Sequence, residues 1–454
     1  MIKLRLLLGF IVFGFLQKTQ PFASEDLTRT PFTPLPVKPW TAMIFIAGSN
    51  DLAPFVNRNI QQMMRVGSTD FINIVVGVIE SPNKSQKVFR ILLIEKNSIK
   101  TIFETTEKSF LDSGDPKNLS FFCKMAISLF PAIQHALFLW NHGTGPLDFQ
   151  RGPVIRMKHL FIPGLSEDPA QTKTFSYALR IRPTQEENPQ KGICFDDETG
   201  NNLSEEKLIQ ALNDIVYTSL GGKKLALIGC DACFMGSVEI ASLFKSYADI
   251  MVGSEESEPG AGWNYERVFS PFLFGTINKE TFGKHIVQSY SKTYHAYADH
   301  TLSCINLTHI STLESHIKKL SVLLQEALTF QANKSVFHAI ATSKAKHLCT
   351  NFDEPSFIDL QHFCANLINN VSMIVLHNKT HEYQLKNNII ASLQHITTSL
   401  QQAIVANVAG SKYACAQGLS IYFPETWINR LYRKNIFSYA TDWSTFLTHY
   451  HQHR

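Results

Sequence analysis

The chain is poor in the features that mark several protein classes. Only 8 of its 454 residues are cysteine, too few in a chain this long for a disulfide-stapled scaffold. They stand at 123, 194, 230, 233, 304, 349, 364 and 415. Cys230 and Cys233 form one C-x-x-C. A structural zinc site would need a second such pair, and a redox role would need a thioredoxin-like setting. Charge is also sparse, with 18% of residues charged and a net charge of +4. There is no Lys/Arg cluster interleaved with aromatics, so no nucleic-acid partner is expected. Beyond the N-terminus no apolar run is long enough to cross a bilayer. Internal repeats and low-complexity tracts are missing as well. What remains is an ordinary globular composition, 44% hydrophobic, with length for one large core or two domains.

At the N-terminus, Lys3 and Arg5 precede an apolar run from Leu6 to Leu16, and the small residues Ala23 and Ser24 follow. Basic, apolar and small-residue regions in that order read as a secretory signal peptide over residues 1–24. An uncleaved anchor is the competing reading. The expected product is secreted or periplasmic, with no stable membrane span after signal removal. Residues 25–39, rich in Pro and Thr, read as an extended lead-in.

Apolar runs then alternate with amphipathic stretches. Ala42 to Ala47, Phe71 to Ile79, Val88 to Glu95, His135 to Trp140, Leu225 to Ile228 and Asp249 to Ser254 are strand candidates, several apolar throughout and so buried on both faces. Between them, Leu52, Phe55, Val56, Ile60 and Met63, then Leu119, Phe122, Cys123, Ala126 and Phe130, recur at helical spacing. Ser204 is placed to cap a helix with Glu205 and Glu206 in its first turn and Leu208 and Leu212 on its buried face. Ile240, Leu243, Phe244 and Tyr247 mark another. Strands alternating with helices predict a mostly parallel sheet between helical layers. Residues 38–305 are taken as one such domain. From about residue 306 to 454 the pattern is mainly helical, with a late strand at 418–423. Between Gly145 and Gly192 periodicity lapses, and Arg151, Arg156, Lys158, Lys173, Arg180, Arg182 and Lys191 stand in the gap.

Parallel sheets present ligand sites at the carboxyl ends of their strands, and two strand ends here carry reactive residues. One run leads into Asn141-His142-Gly143-Thr144-Gly145, the other into Cys230-Asp231-Ala232-Cys233-Phe234-Met235-Gly236. A thiol near an imidazole is the minimum apparatus for nucleophilic catalysis. Gly143 lets a backbone N–H approach closely, and with the N–H of Cys233 it would form an oxyanion hole. The bland alternative is a surface histidine and a cysteine used as a small buried hydrophobe.

The same segments, together with Trp40 to Ala47, Asn50-Asp51-Leu52, Ser254 to Gly260 with Gly262-Trp263, and Gly418 to Pro424, resemble the clostripain family of cysteine peptidases, in the caspase-like clan. The resemblance runs over most of the mature chain. It implies a caspase-like α/β/α sandwich followed by a helical C-terminal region. It also implies hydrolysis of protein or peptide substrates after Arg or Lys by a Cys233–His142 dyad, with Gly143 and Cys233 as oxyanion donors. Asp231 would line the pocket for the residue before the cut bond, where a carboxylate favours Arg or Lys. Ser254 and Glu256 would border the substrate groove. Members of the family can be zymogens that cut themselves between the two motifs, and 146–191 is where such an activation segment would fall. No cofactor is required for the chemistry. Calcium is admitted by resemblance to clostripain itself, and the acidic turn Asp196-Asp197-Glu198 is the candidate, although its spacing departs from an EF-hand loop. The chief alternative function is a catalytically inactive caspase-like binding or scaffold module, and a thiol redox protein built on Cys230 and Cys233 is the third reading.

Overall fold

The computed structural model describes residues 36–82, 86–146, 192–330 and 334–453, together with the backbone of two short strands in 156–160 and 175–178. The expected signal peptide at 1–24 and most of the 146–191 segment lie outside the described residues. In chain order the first strands are β1 (Lys38–Gly48), β2 (Ile72–Glu80), β3 (Val88–Glu95), β4 (Ser98–Thr105) and β5 (Ala132–Trp140). β6 (Arg156–Leu160) pairs with β7 (Phe175–Ala178), and β8 (Ile193–Asp196) with β9 (Asn201–Leu203). β10 (Leu225–Asp231), β11 (Ala248–Gly253), β12 (Thr301–Asn306), β13 (Phe357–Asp359), β14 (Ile404–Ala409) and β15 (Ser420–Tyr422) complete the order.

Nine strands make one sheet in the order β14-β12-β11-β10-β5-β1-β2-β3-β4. Its centre, from β11 to β2, is parallel. Both flanks are antiparallel. The sequence led to the expectation of a mostly parallel sheet, and that describes the centre.

Helices cover both faces. On one side α1 (Ala53–Val66) packs Val56, Ile60 and Met63 against Ala42, Ile44 and Ile46 of β1. The same layer holds α5 (Tyr265–Phe269) and α6 (Lys279–Tyr294), introduced here with α2 (Pro116–Leu129), α3 (Glu205–Asn213) and α4 (Val238–Phe244), which lie opposite. On that opposite face Met43, Phe45 and Ala47 meet Leu119, Phe122 and Cys123 of α2. Alternate residues of β1 thus feed two cores, which is why the strand is apolar throughout. Each fully buried large side chain contributes roughly 1.5–3 kcal/mol. Helix starts follow local chemistry: Asp115 accepts the N–H of Lys117 ahead of Pro116 at the first helical position, and Ser204 accepts that of Lys207.

Beyond β12 come α7 (Ile310–Thr329), α8 (Lys334–Ser343), α9 (Leu360–Asn370), α10 (Lys379–Ala403), α11 (Ile436–Thr441) and α12 (Trp443–Gln452). A boundary near residue 305 does not separate two cores, because Leu313, Leu393 and Phe446 belong to the same apolar cluster as Phe45 and Ile228. β14 adds an edge strand to the main sheet. β15 lies against the segment after β10, where Ser420 N–H donates to the Gly236 carbonyl at 3.0 Å. Residues 37–454 form one compact unit.

Candidate active site

His142 and Cys233 come together because their strands are neighbours in register. β5 and β10 pair in parallel with Trp140 opposite Asp231, and each reactive residue stands two positions past that pair. Asn141 fixes the first overhang: its side-chain amide donates to the Ala47 carbonyl at 2.6 Å, and its oxygen accepts the Phe195 N–H at 2.7 Å. The two motif loops then touch. A Cβ built on Gly143 would lie 2.5 Å from the Cys233 carbonyl oxygen, and one on Gly145 would lie 2.6 Å from that of Phe234. Any larger residue would push the loops apart. After Cys233 the chain turns sharply through Phe234, a non-glycine residue at φ 58°. Such conformations cost energy and cluster where a side chain must be presented.

His142, Cys233, Asp231, Glu258, Trp140 and Leu52 line one small cavity with a free volume of about 20 Å³, room for roughly one water. The site is shut, with Cys233 4% and His142 3% exposed. Burial pushes the Cys233 thiol up to about 12, reinforced by the charges of Glu258 and Glu256 and opposed by the Glu258 N–H, which donates to Sγ at 3.2 Å. Burial in this closed state favours the neutral thiol over the thiolate. His142 Nε2 meets Asp51 Oδ1 at 2.5 Å. Burial alone would raise the Asp51 carboxyl, but the hydrogen bond and charge of His142 outweigh it and hold the group below its ordinary value.

The cavity floor is acidic. Asp231 accepts from the Trp263 N–H at 3.1 Å and the Tyr265 hydroxyl at 2.9 Å. Glu258 Oε2 accepts from Trp263 Nε1 at 2.8 Å, while Oε1 has no donor. Burial raises both carboxyls above the ordinary range, and Glu258 is raised further by the Asp231 charge beside it. Each negative charge makes the other harder to form.

Not every expected site residue reaches this space. Ser254 and Glu256, expected at the groove, are turned into the protein. Ser254 Oγ bonds Thr301 Oγ1 at 2.8 Å, and Glu256 accepts the N–H groups of Ser257 and Asp353, each at 2.7 Å. Both positions brace the loop after β11. Glu258, four residues past Ser254 in the same acidic segment, is the acid that reaches the cavity, and nothing in its spacing marks it out. Asp51 also reaches His142, and its signal is a third strand end, that of β1 beside β5. The acidic turn does not fit calcium. Asp196 is committed to Lys87 Nζ, 2.7 Å from both carboxylate oxygens, and also accepts the Ser113 N–H at 3.1 Å. Among the described residues no three His, Cys, Asp or Glu side chains gather as a metal site. The C-x-x-C is not a bridge either: all eight cysteines are free, and Cys230 points into the apolar core beside Cys194.

A thiol and an imidazole thus stand on one rim of a parallel sheet, inside a caspase-like α/β/α sandwich. The chain belongs to the clostripain family of C11 cysteine peptidases, whose sequence profile matches residues 44–159 and 181–450. Solved structures share the fold. A secreted C11 cysteine protease from Bacteroides thetaiotaomicron, in complex with an irreversible peptide inhibitor, superposes with a TM-score of 0.59 at 18% identity, over 90% of this chain and 99% of that one. An inactive zymogen C11 protease from Parabacteroides distasonis gives 0.56 at 17% identity, over 90% and 99%. A search of curated proteins finds no match. No described helix is long and apolar enough to cross a membrane.

Proposed function

We propose that this protein is a secreted cysteine endopeptidase that cuts after Arg or Lys. Cys233 Sγ attacks the scissile carbonyl, and His142 takes the thiol proton. The backbone N–H groups of Gly143 and Cys233 hold the oxyanion. When the C–N bond breaks, His142 returns the proton to the leaving amine, and water then hydrolyses the thioester. The observation that carries the reading is the registered pair Trp140–Asp231, which sends a histidine and a cysteine into one cavity floored by two carboxyls. An acidic floor suits a guanidinium or ammonium group.

The shut cavity, which favours the neutral thiol, supports a latent intact chain, opened by self-cleavage after an Arg or Lys in 146–191. The bond chemistry needs no cofactor, and calcium is assigned no role at the 196–198 turn. Fluorogenic peptides with Arg or Asp before the cut test the proposal, under reducing conditions, with calcium and with chelator. Arg-peptide turnover that disappears in Cys233→Ala and on thiol alkylation is expected, along with an internal cut seen by mass spectrometry in wild type and absent in the variant. No turnover after limited trypsin nicking would leave a scaffold module.

A further inference from the structure

The His142–Asp51 contact makes the site more than a dyad. We propose that Asp51 is a positioning residue that holds His142 in the tautomer and orientation its reaction requires, an inference that rests on the peptidase reading. Nε2 of His142 is 2.5 Å from Asp51 Oδ1. A carboxylate accepts only, so Nε2 carries the hydrogen and Nδ1 is the nitrogen left to take the proton of Cys233. Once the imidazole is protonated, the Asp51 charge beside it stabilises the imidazolium, while Asp51 itself stays ionised.

Asp51 is built to stay where it is. β1 pairs with β5, with Ile46 opposite Trp140, so the turn after β1 opens beside the His142 loop. Asn50 pins that turn: its amide donates to the carbonyls of Ala47 at 3.1 Å and Phe195 at 2.8 Å, and its oxygen accepts the Leu52 N–H at 3.0 Å. Asn141, the neighbour of His142, holds the same Ala47 carbonyl. Three adjacent strand ends thus supply acid, imidazole and thiol in the order β1, β5, β10. With His142 buried and Asp51 only 28% exposed at its side chain, the contact is largely shielded from solvent, so it keeps more of its strength than a surface pair.

The test uses the processed enzyme carrying Asp51→Asn and Asp51→Glu, with an Arg peptide. Asp51→Asn is expected to lower kcat about 10- to 100-fold, the loss of one hydrogen bond to a charged group, with KM within about twofold, since Asp51 does not line the cavity. Asp51→Glu should recover part of kcat. The pH profile of Cys233 alkylation by iodoacetamide should also change in Asp51→Asn, because the thiol proton has lost its prepared acceptor. An unchanged kcat and alkylation profile would overturn the inference. Faster turnover would overturn it too, by making Asp51 a restraint on the histidine. If wild type cuts no peptide, the peptidase reading fails separately. Ring ¹⁵N shifts of His142 still decide the pairing, with a single Nε2–H tautomer expected in wild type and a mixture in Asp51→Asn; the same spectrum in both refutes it.

Discussion

Replacing Glu258 with Gln changes one charge in the cavity floor and little else. The Gln carbonyl can keep the 2.8 Å bond from Trp263 Nε1, and its amide can donate to Asp231. Loss of one hydrogen bond between a buried carboxylate and a substrate cation costs about 1.5–3 kcal/mol, or roughly 10- to 150-fold in kcat/KM at 1.36 kcal/mol per decade. The assay is kcat/KM for two peptides that differ only in Arg or its neutral isostere citrulline before the cut. The loss should fall on the Arg peptide and spare the citrulline one. pH sharpens the test. Both floor carboxyls lie above their ordinary values, so lowering the pH returns a proton to the wild-type pair and removes the charge that the variant already lacks. The gap between wild type and Glu258→Gln on the Arg peptide should therefore narrow as the pH falls. Equal losses on both peptides, or a gap that is constant with pH, would refute the claim that Glu258 reads the substrate's charge.

Lys87→Ala should strand the buried Asp196 carboxylate and destabilise the fold by about 3–5 kcal/mol, seen as a lower unfolding temperature at fixed scan rate. Gly143→Ala places a methyl 2.5 Å from the Cys233 carbonyl; it should abolish turnover in protein that still folds, checked by circular dichroism. Asp231, Glu258 and Glu255 all hold protons more tightly folded than unfolded, and Glu256 is pushed up to about 7. Protons are then lost first from the unfolded chain, so these groups make stability fall as pH rises from the ordinary carboxylate range through about 7. Denaturant titrations across that window should show the decline.

The central sheet was legible because strands buried on both faces, such as Ala42 to Ala47, leave continuous apolar runs. The edges were not. β4 is largely exposed, so Ser98 to Thr105 carries no inward stripe to read. β14 follows the 25-residue α10 without a Gly or Pro until Gly410, and its apolar residues pass for the end of the helix. At the site, His142 and Cys233 were readable as the residues that end two such runs. Glu258 was not separable from Glu256, because the loop after β11 has no period to say which acid turns inward. Asp51 needed the strand order, which spacing does not contain.

The hydrogen bonds of the C-terminal segment limit how this enzyme can be cut down. Gly418, Ser420 and Tyr422 donate their backbone N–H groups to Glu255, the Gly236 carbonyl and Glu239 in turn. Each acceptor lies deep inside, within a few residues of the cysteine loop or of the loop that clamps its sulfur. Deleting residues beyond 305 would leave two carboxyls and a carbonyl without those donors beneath the nucleophile. A minimal protease ending at β12 would therefore lose the support that keeps its thiol in place, so the tail and the catalytic half have to be kept in one piece.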